Sequence, residues 1–328
     1  MRRRRFIGLL GGAAAAWPLT AHAQERRRMR RIGFLMGTSE TDLNEQSSVA
    51  AFVQTLERLG WVAGKNIEIE YRWTAGDPRR MQEYAQELVA LSPDVIFAKG
   101  AAAPPVTQAT TTIPVVFAVL SDMLAQRYVK NFARPDRNVT GFASDEITLV
   151  SKRVEILKEI SPSLTRVLYV RGARPKARAL FLRLAEDAAQ LALAVTECAA
   201  ENEADVASAI AAFARDPNGG LSVGFDVFNV VHRKKIVELA ALHRLPAIYF
   251  ARFFVVEDGG LLSYGPNQPE QFRQAAQYVD RILKGEKVVS LPVQAPTKYD
   301  FTINLKTANA LGLRLPPTVL SRADELIE

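Results

Sequence analysis

The sequence of 328 residues is 48% apolar and contains a single cysteine, Cys198. These values exclude a globally disordered chain, an internal disulfide framework and a cysteine-rich metal site, and the length predicts two domains. The net charge of +7 is concentrated at the start: residues 1–31 carry nine arginines and one acid, whereas the remaining residues carry 33 bases and 34 acids. A basic terminus alone is weak evidence for nucleic-acid binding, and we expect no nucleic-acid partner.

The first 23 residues have the three parts of an export signal. Arg2–Arg5 form a basic start that resembles a twin-arginine signal, 14 weakly apolar residues follow, and Ala21-His22-Ala23 is a small-x-small cleavage site. The alternative, a membrane anchor, needs about 20 apolar residues. We therefore expect cleavage after Ala23 and a periplasmic protein of 305 residues, exported by the twin-arginine or the general route.

Predicted strands and helices alternate strictly through the first half of the body. Ile67, Ile69 and Tyr71 alternate with charged residues, which is strand periodicity, whereas Asp77-Pro78 is typical of a helix start. In chain order we predict strand 32–35, helix 49–59, strand 67–71, helix 78–91, strand 94–98, a short helix ending near 110, and strand 114–118.

The same alternation restarts after residue 141. We predict helix 146–160, strand 166–170, helix 177–191, a weak strand 194–198, helix 205–213, strand 220–223, helix 230–242, strands 246–250 and 261–264, and helix 269–283. Alternation of this kind indicates parallel βαβ units, and strands that are apolar on both faces indicate sheets covered by helices on both sides. The sequence therefore predicts an α/β protein with two lobes of similar size.

Sequence motifs for catalysis or cofactor binding are not found. Gly60 to Lys65 invites comparison with a phosphate-binding loop, but it is one residue short, lacks the following Ser or Thr, and precedes a strand, so we interpret it as a turn. His232 and His243 lie eleven residues apart on one predicted helix, about 16 Å along its axis, which is too far to share a metal. No GxGxxG motif follows the first predicted strand, and the GxSxG match at Gly220 to Gly224 places Ser222 inside the predicted strand 220–223, not at the strand-to-helix turn that a nucleophile needs. We expect no catalytic residues, no metal and no cofactor.

The candidate binding residues follow from the predicted sheets, because ligands of open parallel sheets bind at the carboxyl ends of the strands. Gly100 to Ala103 lead into a helix N-terminus, which favours an anion such as a carboxylate. Asp226 follows a strand and can pair with an ammonium group. For each position the alternative is ordinary loop chemistry. The predicted ligand-binding residues are Gly37, Thr38, Gly100, Ala101, Ala102, Leu120, Ser121, Asp122, Phe142, Arg171, Asp226, Phe250 and Tyr264.

Several segments resemble one protein family along nearly all of residues 30–328. They include 59–66, 93–96, 113–117, 134–141, 152–158, 243–249, 259–265, 278–285, 296–298, 303–308 and 323–325. The family is that of the periplasmic substrate-binding proteins of ABC transporters, in the group related to tryptophan- and tyrosine-binding proteins. The resemblance is specific for the family and weak for the ligand.

The resemblance implies a type I periplasmic-binding fold, with two Rossmann-like lobes of parallel sheets joined by a three-segment hinge. Lobe 1 would comprise residues 30–142 plus 266–288, and lobe 2 residues 143–265 plus 289–328. The hinge segments would lie at 141–143, 264–266 and 291–292. A ligand would bind between the lobes and shift the population toward a closed form.

The sequence departs from the family at two turns. Members often have a Thr- or Ser-bearing turn at the position of Gly100–Ala103, and an Asn-Pro-rich turn at the position of residues 171–175. Arg171 could replace the lost hydroxyl donor, and we hypothesise that it contacts an acidic or aromatic-carboxylate ligand. The alternative is a solvent-facing arginine.

The resemblance implies a function in solute uptake. We expect an exported monomeric protein that binds a small molecule, either an amino acid or an aromatic or aliphatic carboxylate, and delivers it to ABC permease subunits in the inner membrane. One alternative is a periplasmic sensor subunit that presents the solute to a receptor, and another is an enzyme on the same scaffold. A cytoplasmic regulator of the LacI type would have DNA-binding helices where this chain has its leader.

Overall fold

The computed structural model describes residues 29–144, 146–173 and 178–328. The predicted export signal and part of the turn after Arg171 lie outside these residues. The described strands are β1 (Arg30–Met36), β2 (Ile67–Trp73), β3 (Val95–Lys99), β4 (Val115–Ser121), β5 (Val139–Ser144), β6 (Arg166–Gly172), β7 (Ala194–Ala200), β8 (Gly219–Val223), β9 (Ala247–Tyr249), β10 (Leu262–Pro266), β11 (Tyr299–Asn304) and β12 (Glu325–Ile327).

The helices lie between these strands in the predicted alternation. They are α1 (Leu43–Arg58), α2 (Pro78–Ala90), α3 (Ala103–Ala109), α4 (Asp122–Ala125), α5 (Glu146–Ile160), α6 (Arg178–Ala189), α7 (Glu203–Phe213), α8 (Val227–Val231), α9 (Arg233–Leu242), α10 (Phe253–Val256), α11 (Gln268–Leu283), α12 (Leu305–Leu311) and α13 (Pro317–Leu320). A 3-10 turn at Gly100–Ala102 precedes α3.

The strands form two separate sheets, one of five strands and one of seven. Their orders are β2-β1-β3-β4-β5 and β12-β11-β10-β9-β8-β6-β7. Neighbouring strands run parallel, except that β11 is antiparallel to β10. The predicted α/β class with two mostly parallel sheets is confirmed, whereas β11 and β12 were not among the predicted elements.

Both faces of each sheet are covered by helices, as the apolar strands predict. In β1, Ile32, Phe34 and Met36 pack with α1 and α11, whereas Leu35 faces the opposite side with α2 and α3. The second sheet is covered in the same way, by α7 and α9 on one face and by α5, α6 and α12 on the other. Two double-sided cores of this kind make two lobes.

The chain passes three times between the sheets. It leaves the first sheet after β5, returns from β10 into α11, and leaves again after residues 291–294 for β11. This last segment runs beside β5, where Gln294 donates from its N–H to the Gly141 carbonyl at 3.0 Å and accepts from the Ala143 N–H at 2.8 Å. The predicted lobe limits at 142, 265 and 288 stay predictions.

Local capping explains where several helices begin and end. The Asp77 side chain accepts from the Arg79 N–H at 2.8 Å with Pro78 at the first helical position, as predicted. The predicted helix 230–242 is instead two helices, α8 and α9, separated at His232. Within the ranges given above, no helix is long and apolar enough to cross a membrane, and no cluster of three or more His, Cys, Asp or Glu side chains could hold a metal ion.

Candidate functional site

A cavity of about 220 Å³ lies where the carboxyl ends of strands from both sheets face each other. Both lobes contribute to its wall, which is mainly apolar. It is lined by Gly37, Thr38, Glu45, Lys99, Gly100, Ala101, Val119, Leu120, Ser121, Leu124, Arg127, Leu180, Phe225, Asp226, Val227, Val230, Phe250, Phe253 and Gln268. A cavity of this size suits a small organic molecule.

The wall from the first sheet is shaped by a β-bulge in β4. The pairing of β4 with β5 shifts between Ala118 and Leu120, and Val119 has a φ of +55°, a conformation that a β-branched residue rarely adopts. The Val119 N–H donates to Gln271 Oε1 of α11 at 3.0 Å. The buried side chain of Gln271, on the helix α11 that follows β10, therefore stabilises the bulge.

The wall from the second sheet is aromatic. The Phe225 and Phe250 rings meet edge to face at 5.2 Å, and Phe253 meets Phe250 in the same way at 6.1 Å. Phe225 packs against the hydrophobic cores of both lobes. An apolar or aromatic ligand body would find its contacts on this wall.

Charged groups occupy a small part of the wall. Lys99 and Glu45 form a buried ion pair. Asp226 caps α8, because its Oδ1 accepts from the Phe228 N–H at 2.7 Å. Arg127 is exposed at the edge of the cavity.

An ion pair joins the two lobes beside the cavity. Arg233, the first residue of α9, donates to Asp42 Oδ2, in the N-cap residue of α1, at 2.7 Å. The same guanidinium donates to Asp258 at 2.9 Å and to Glu257 at 3.2 Å, both in its own lobe. Burial opposes the charge of Arg233, but its hydrogen bond to Asp42 and the three carboxylates outweigh that effect and raise its pKa. For Asp258 burial is the largest effect, and the pKa is raised despite Arg233.

The structure brings eight of the predicted site residues together around this cavity. All eight follow or end a strand, as the argument from strand ends expects. They are Gly37, Thr38, Gly100, Ala101, Leu120, Ser121, Asp226 and Phe250.

Five predicted site residues are not among those that line the cavity. Ala102, the last residue of the 3-10 turn, is buried in the core of the first lobe, and Phe142 is buried with its ring 4.8 Å from that of Tyr278. Asp122 begins α4 after β4. Tyr264 stacks on Tyr299 at 5.8 Å.

Arg171, the fifth, is buried in the second lobe. Its Nε donates to Glu197 on the neighbouring strand β7 at 2.7 Å, and its Nη1 donates to the carbonyl of Gly172 at 2.7 Å. The guanidinium that the hypothesis assigned to the ligand is therefore hydrogen-bonded within the second lobe, on the face of the sheet that Glu197 of β7 shares.

The anion site expected at residues 100–103 has few backbone donors. The Ala103 N–H donates to the Gly100 carbonyl within the 3-10 turn, and Pro104 and Pro105 have no N–H. Gly100 has a φ of +53°, and a Cβ there would lie 3.3 Å from the Val119 carbonyl oxygen. The small residues therefore allow the turn to approach the β4 bulge.

Sequence reasoning missed the side chains that reach the cavity from outside the strand ends. Glu45 lies on α1, Leu180 on α6 and Gln268 at the start of α11. Lys99 directly follows the predicted strand 94–98 and ends β3, and its position was a usable signal. No sequence signal identified the helix residues, because their placement depends on how the helices pack.

A family model and a curated relative both identify this chain as similar to substrate-binding proteins. A family model described as ABC transporter substrate binding protein matches residues 44–327. The chain is 22% identical over 292 residues to a tyrosine-binding protein of Clostridioides difficile (strain R20291), covering 88% of this chain and 83% of that protein.

Solved structures show the same fold. A conserved domain protein from Vibrio cholerae is 28% identical, with a TM-score of 0.82 and coverage of 91% of this chain and 100% of that one. The ABC domain from Streptococcus pneumonia in complex with L-Trp is 22% identical, with a TM-score of 0.82 and coverage of 92% and 100%.

Proposed function

The chain belongs to the ABC transporter substrate binding protein family, and we propose that it captures a small organic solute between its lobes and delivers it to a membrane permease. The observation that carries the proposal is the cavity of about 220 Å³ enclosed by strand ends of both lobes. A solute there contacts both lobes at once, so it stabilises their closed arrangement and needs no chemical change.

The proposed ligands are aromatic or aliphatic amino acids or carboxylates. The aromatic wall of Phe225, Phe250 and Phe253 supports an apolar ligand body, and the few charged groups support a small polar head. A relative is described as tyrosine-binding and a similar structure holds L-Trp. These names make aromatic amino acids the first candidates.

The proposal includes export to the periplasm and an interaction with a membrane permease. The basic start, apolar stretch and cleavage site of residues 1–23 support periplasmic export with cleavage after Ala23. The ABC permease subunits of the inner membrane are the proposed partner, and the proposed state is a monomer without catalytic activity. Mass spectrometry of the protein from a periplasmic extract tests this, because an N-terminus at Gln24 is the expected result and retention of Met1 would contradict it.

Thermal unfolding with a ligand panel tests the binding function. A solute at about 100 times its Kd adds about 2.7 kcal/mol to the free energy of unfolding, which raises Tm by about 5 °C. The substitution Ala101→Phe fills the cavity and is expected to abolish the shift. The matched control is Ala189→Phe, on the exposed end of α6, which keeps the shift. Equal shifts in both variants would place the ligand elsewhere, and no shift with any solute would contradict the proposal.

A further inference from the structure

The cavity wall contains one buried ion pair, formed by residues 54 positions apart. Glu45 lies in the first turn of α1 and is 2% exposed, and Lys99 ends β3 and is 8% exposed. The Lys99 Nζ contacts Glu45 Oε1, and both residues line the cavity. The pair is therefore a charged site in an otherwise mainly apolar wall.

The local sequence around Glu45 has the pattern of a helix cap, but in the structure Glu45 does not cap the helix. Asp42 and Glu45 have the spacing of a capping box, in which the acid three residues after the cap accepts from the cap's own N–H. Here the Asp42 N–H donates to the Ser39 carbonyl at 3.3 Å, and Glu45 is directed to Lys99. The carboxylate is thus part of the cavity wall and does not cap the helix.

The pair has unused hydrogen-bonding capacity. In the part of the chain that the structure describes, Glu45 Oε2 and Thr38 Oγ1 are buried without a hydrogen-bond partner. A buried carboxylate oxygen without a partner is costly, and an ammonium group such as that of Lys99 can donate three hydrogen bonds. The wall therefore presents an acceptor and a donor side by side.

The charged residues of the wall balance. They are two acids, Glu45 and Asp226, and two bases, Lys99 and Arg127. A ligand with one net charge would disturb this balance, because a lone carboxylate would draw Lys99 away and leave Glu45 without its counter-charge in a buried setting. A ligand that carries both charges keeps every buried charge paired.

We propose that the Glu45–Lys99 pair selects zwitterionic solutes, with Glu45 Oε2 accepting from the ligand's ammonium group and Lys99 Nζ donating to its carboxylate. This inference rests on the proposed function and narrows it, since it separates amino acids from plain carboxylates. Each ligand charge then faces an opposite charge, and charge-assisted hydrogen bonds are the strong ones.

Three ligands with one apolar body test the selection: L-tryptophan, indole-3-propionate, which lacks the ammonium group, and tryptamine, which lacks the carboxylate. The phenylalanine and leucine series are measured in the same way. In calorimetric titration of the unsubstituted protein, we expect the zwitterion to bind ten- to a hundredfold more tightly than either singly charged analogue. Equal affinity of an amino acid and its carboxylate analogue would overturn the inference.

Neutralising one member of the pair is expected to reverse the preference. Glu45→Gln leaves a net positive wall and favours the carboxylate analogue, whereas Lys99→Met favours the amine. The controls are Glu57→Gln, exposed on the same helix, and Lys65→Met, also exposed, which keep the zwitterion preference. An unchanged preference in Glu45→Gln and Lys99→Met would overturn the inference.

A double variant covers the case in which the single variants do not fold. Glu45→Gln combined with Lys99→Met leaves no buried charge unpaired. We expect this double variant to bind the three ligands with affinities within about threefold of one another, and retained selectivity would overturn the inference.

If another solute binds and no amino acid does, the inference fails and the proposed function stands. If no solute binds at all, both fail.

Discussion

At the scale of single residues, Cys198 shows how burial controls chemistry in this fold. The thiol lies in the second lobe's core on β7 and is 5% exposed. Burial, with a smaller contribution from the charge of Asp205, raises its pKa to about 11 from an ordinary 9.0. The thiolate is the reactive form, so at pH 8 the folded protein contains roughly a hundredfold less of it than the unfolded chain.

We therefore expect iodoacetamide to modify Cys198 at pH 8 at least about a hundredfold more slowly in the native protein than in denaturant. The native rate should rise as the pH approaches 11, because the thiolate fraction rises. Mass spectrometry of timed reactions measures both rates, and Cys198→Ser is the unlabelled control, since the chain has one cysteine. Comparable rates in the native and unfolded states would contradict the raised pKa.

The candidate site was predictable where backbone position decides it. Gly37, Gly100 and Phe250 follow strands, and a parallel sheet brings such positions to one edge whatever their side chains are. Arg171 also follows this rule in position, but its side-chain direction depends on strand alternation and on Glu197 of β7. Glu45 was not predictable, because it reaches the cavity from a helix through packing between distant segments.

At the scale of secondary-structure elements, α11 follows a crossover between the two sheets and reaches the cavity with Gln268. Gln271 of α11 is 2% exposed, and its Oε1 accepts from the Val119 N–H in the β4 bulge at 3.0 Å. Its Nε2 donates to the Ala143 carbonyl of β5 at 3.4 Å. One helix side chain therefore stabilises the end of two strands, including the bulge that lines the cavity.

The substitution Gln271→Leu is expected to lower the free energy of unfolding by about 1–3 kcal/mol, because it leaves the buried Val119 N–H without an acceptor. It should also weaken ligand binding, since the bulge loses its support. Denaturant unfolding and calorimetric titration measure the two effects. Gln277→Leu, exposed on the same helix, is the control and should change neither quantity. Equal stability of the two variants would show that Gln271 does not hold the bulge.

Most elements were predictable because their apolar periodicity is local. Strands β1, β3 and β4 are short apolar runs, and α11 repeats apolar residues at helical spacing over 16 residues. The strand β11 was missed because its pairing with β10 is antiparallel and follows a long excursion through the first lobe. The break between α8 and α9 at His232 was missed because the polar run of residues 232–235 fits the solvated face of one continuous helix equally well.

At the scale of the whole molecule, the contact between Arg233 and Asp42 links the two lobes beside the cavity. The two side chains are 15% and 12% exposed, so solvent screens them only in part. Asp42 has a second task, because its Oδ1 accepts from the Asn44 N–H at 3.1 Å and caps α1. The two tasks can be separated, since asparagine caps a helix as well as aspartate does but carries no charge.

We expect Asp42→Asn to weaken ligand binding about tenfold, because the closed arrangement loses an ion pair worth about 1.4 kcal/mol. Arg233 keeps Asp258 and Glu257, so no unpaired charge is left in the second lobe. The matched control is Glu257→Gln, which removes a carboxylate from the same guanidinium within one lobe and should leave affinity within about twofold. Calorimetric titration gives the affinities, and X-ray scattering should show a larger radius of gyration for Asp42→Asn at subsaturating ligand. If Asp42→Asn bound as tightly as Glu257→Gln, closure of the two lobes would not depend on this ion pair. The contact between the aromatic wall and the first lobe would then have to stabilise the closed arrangement.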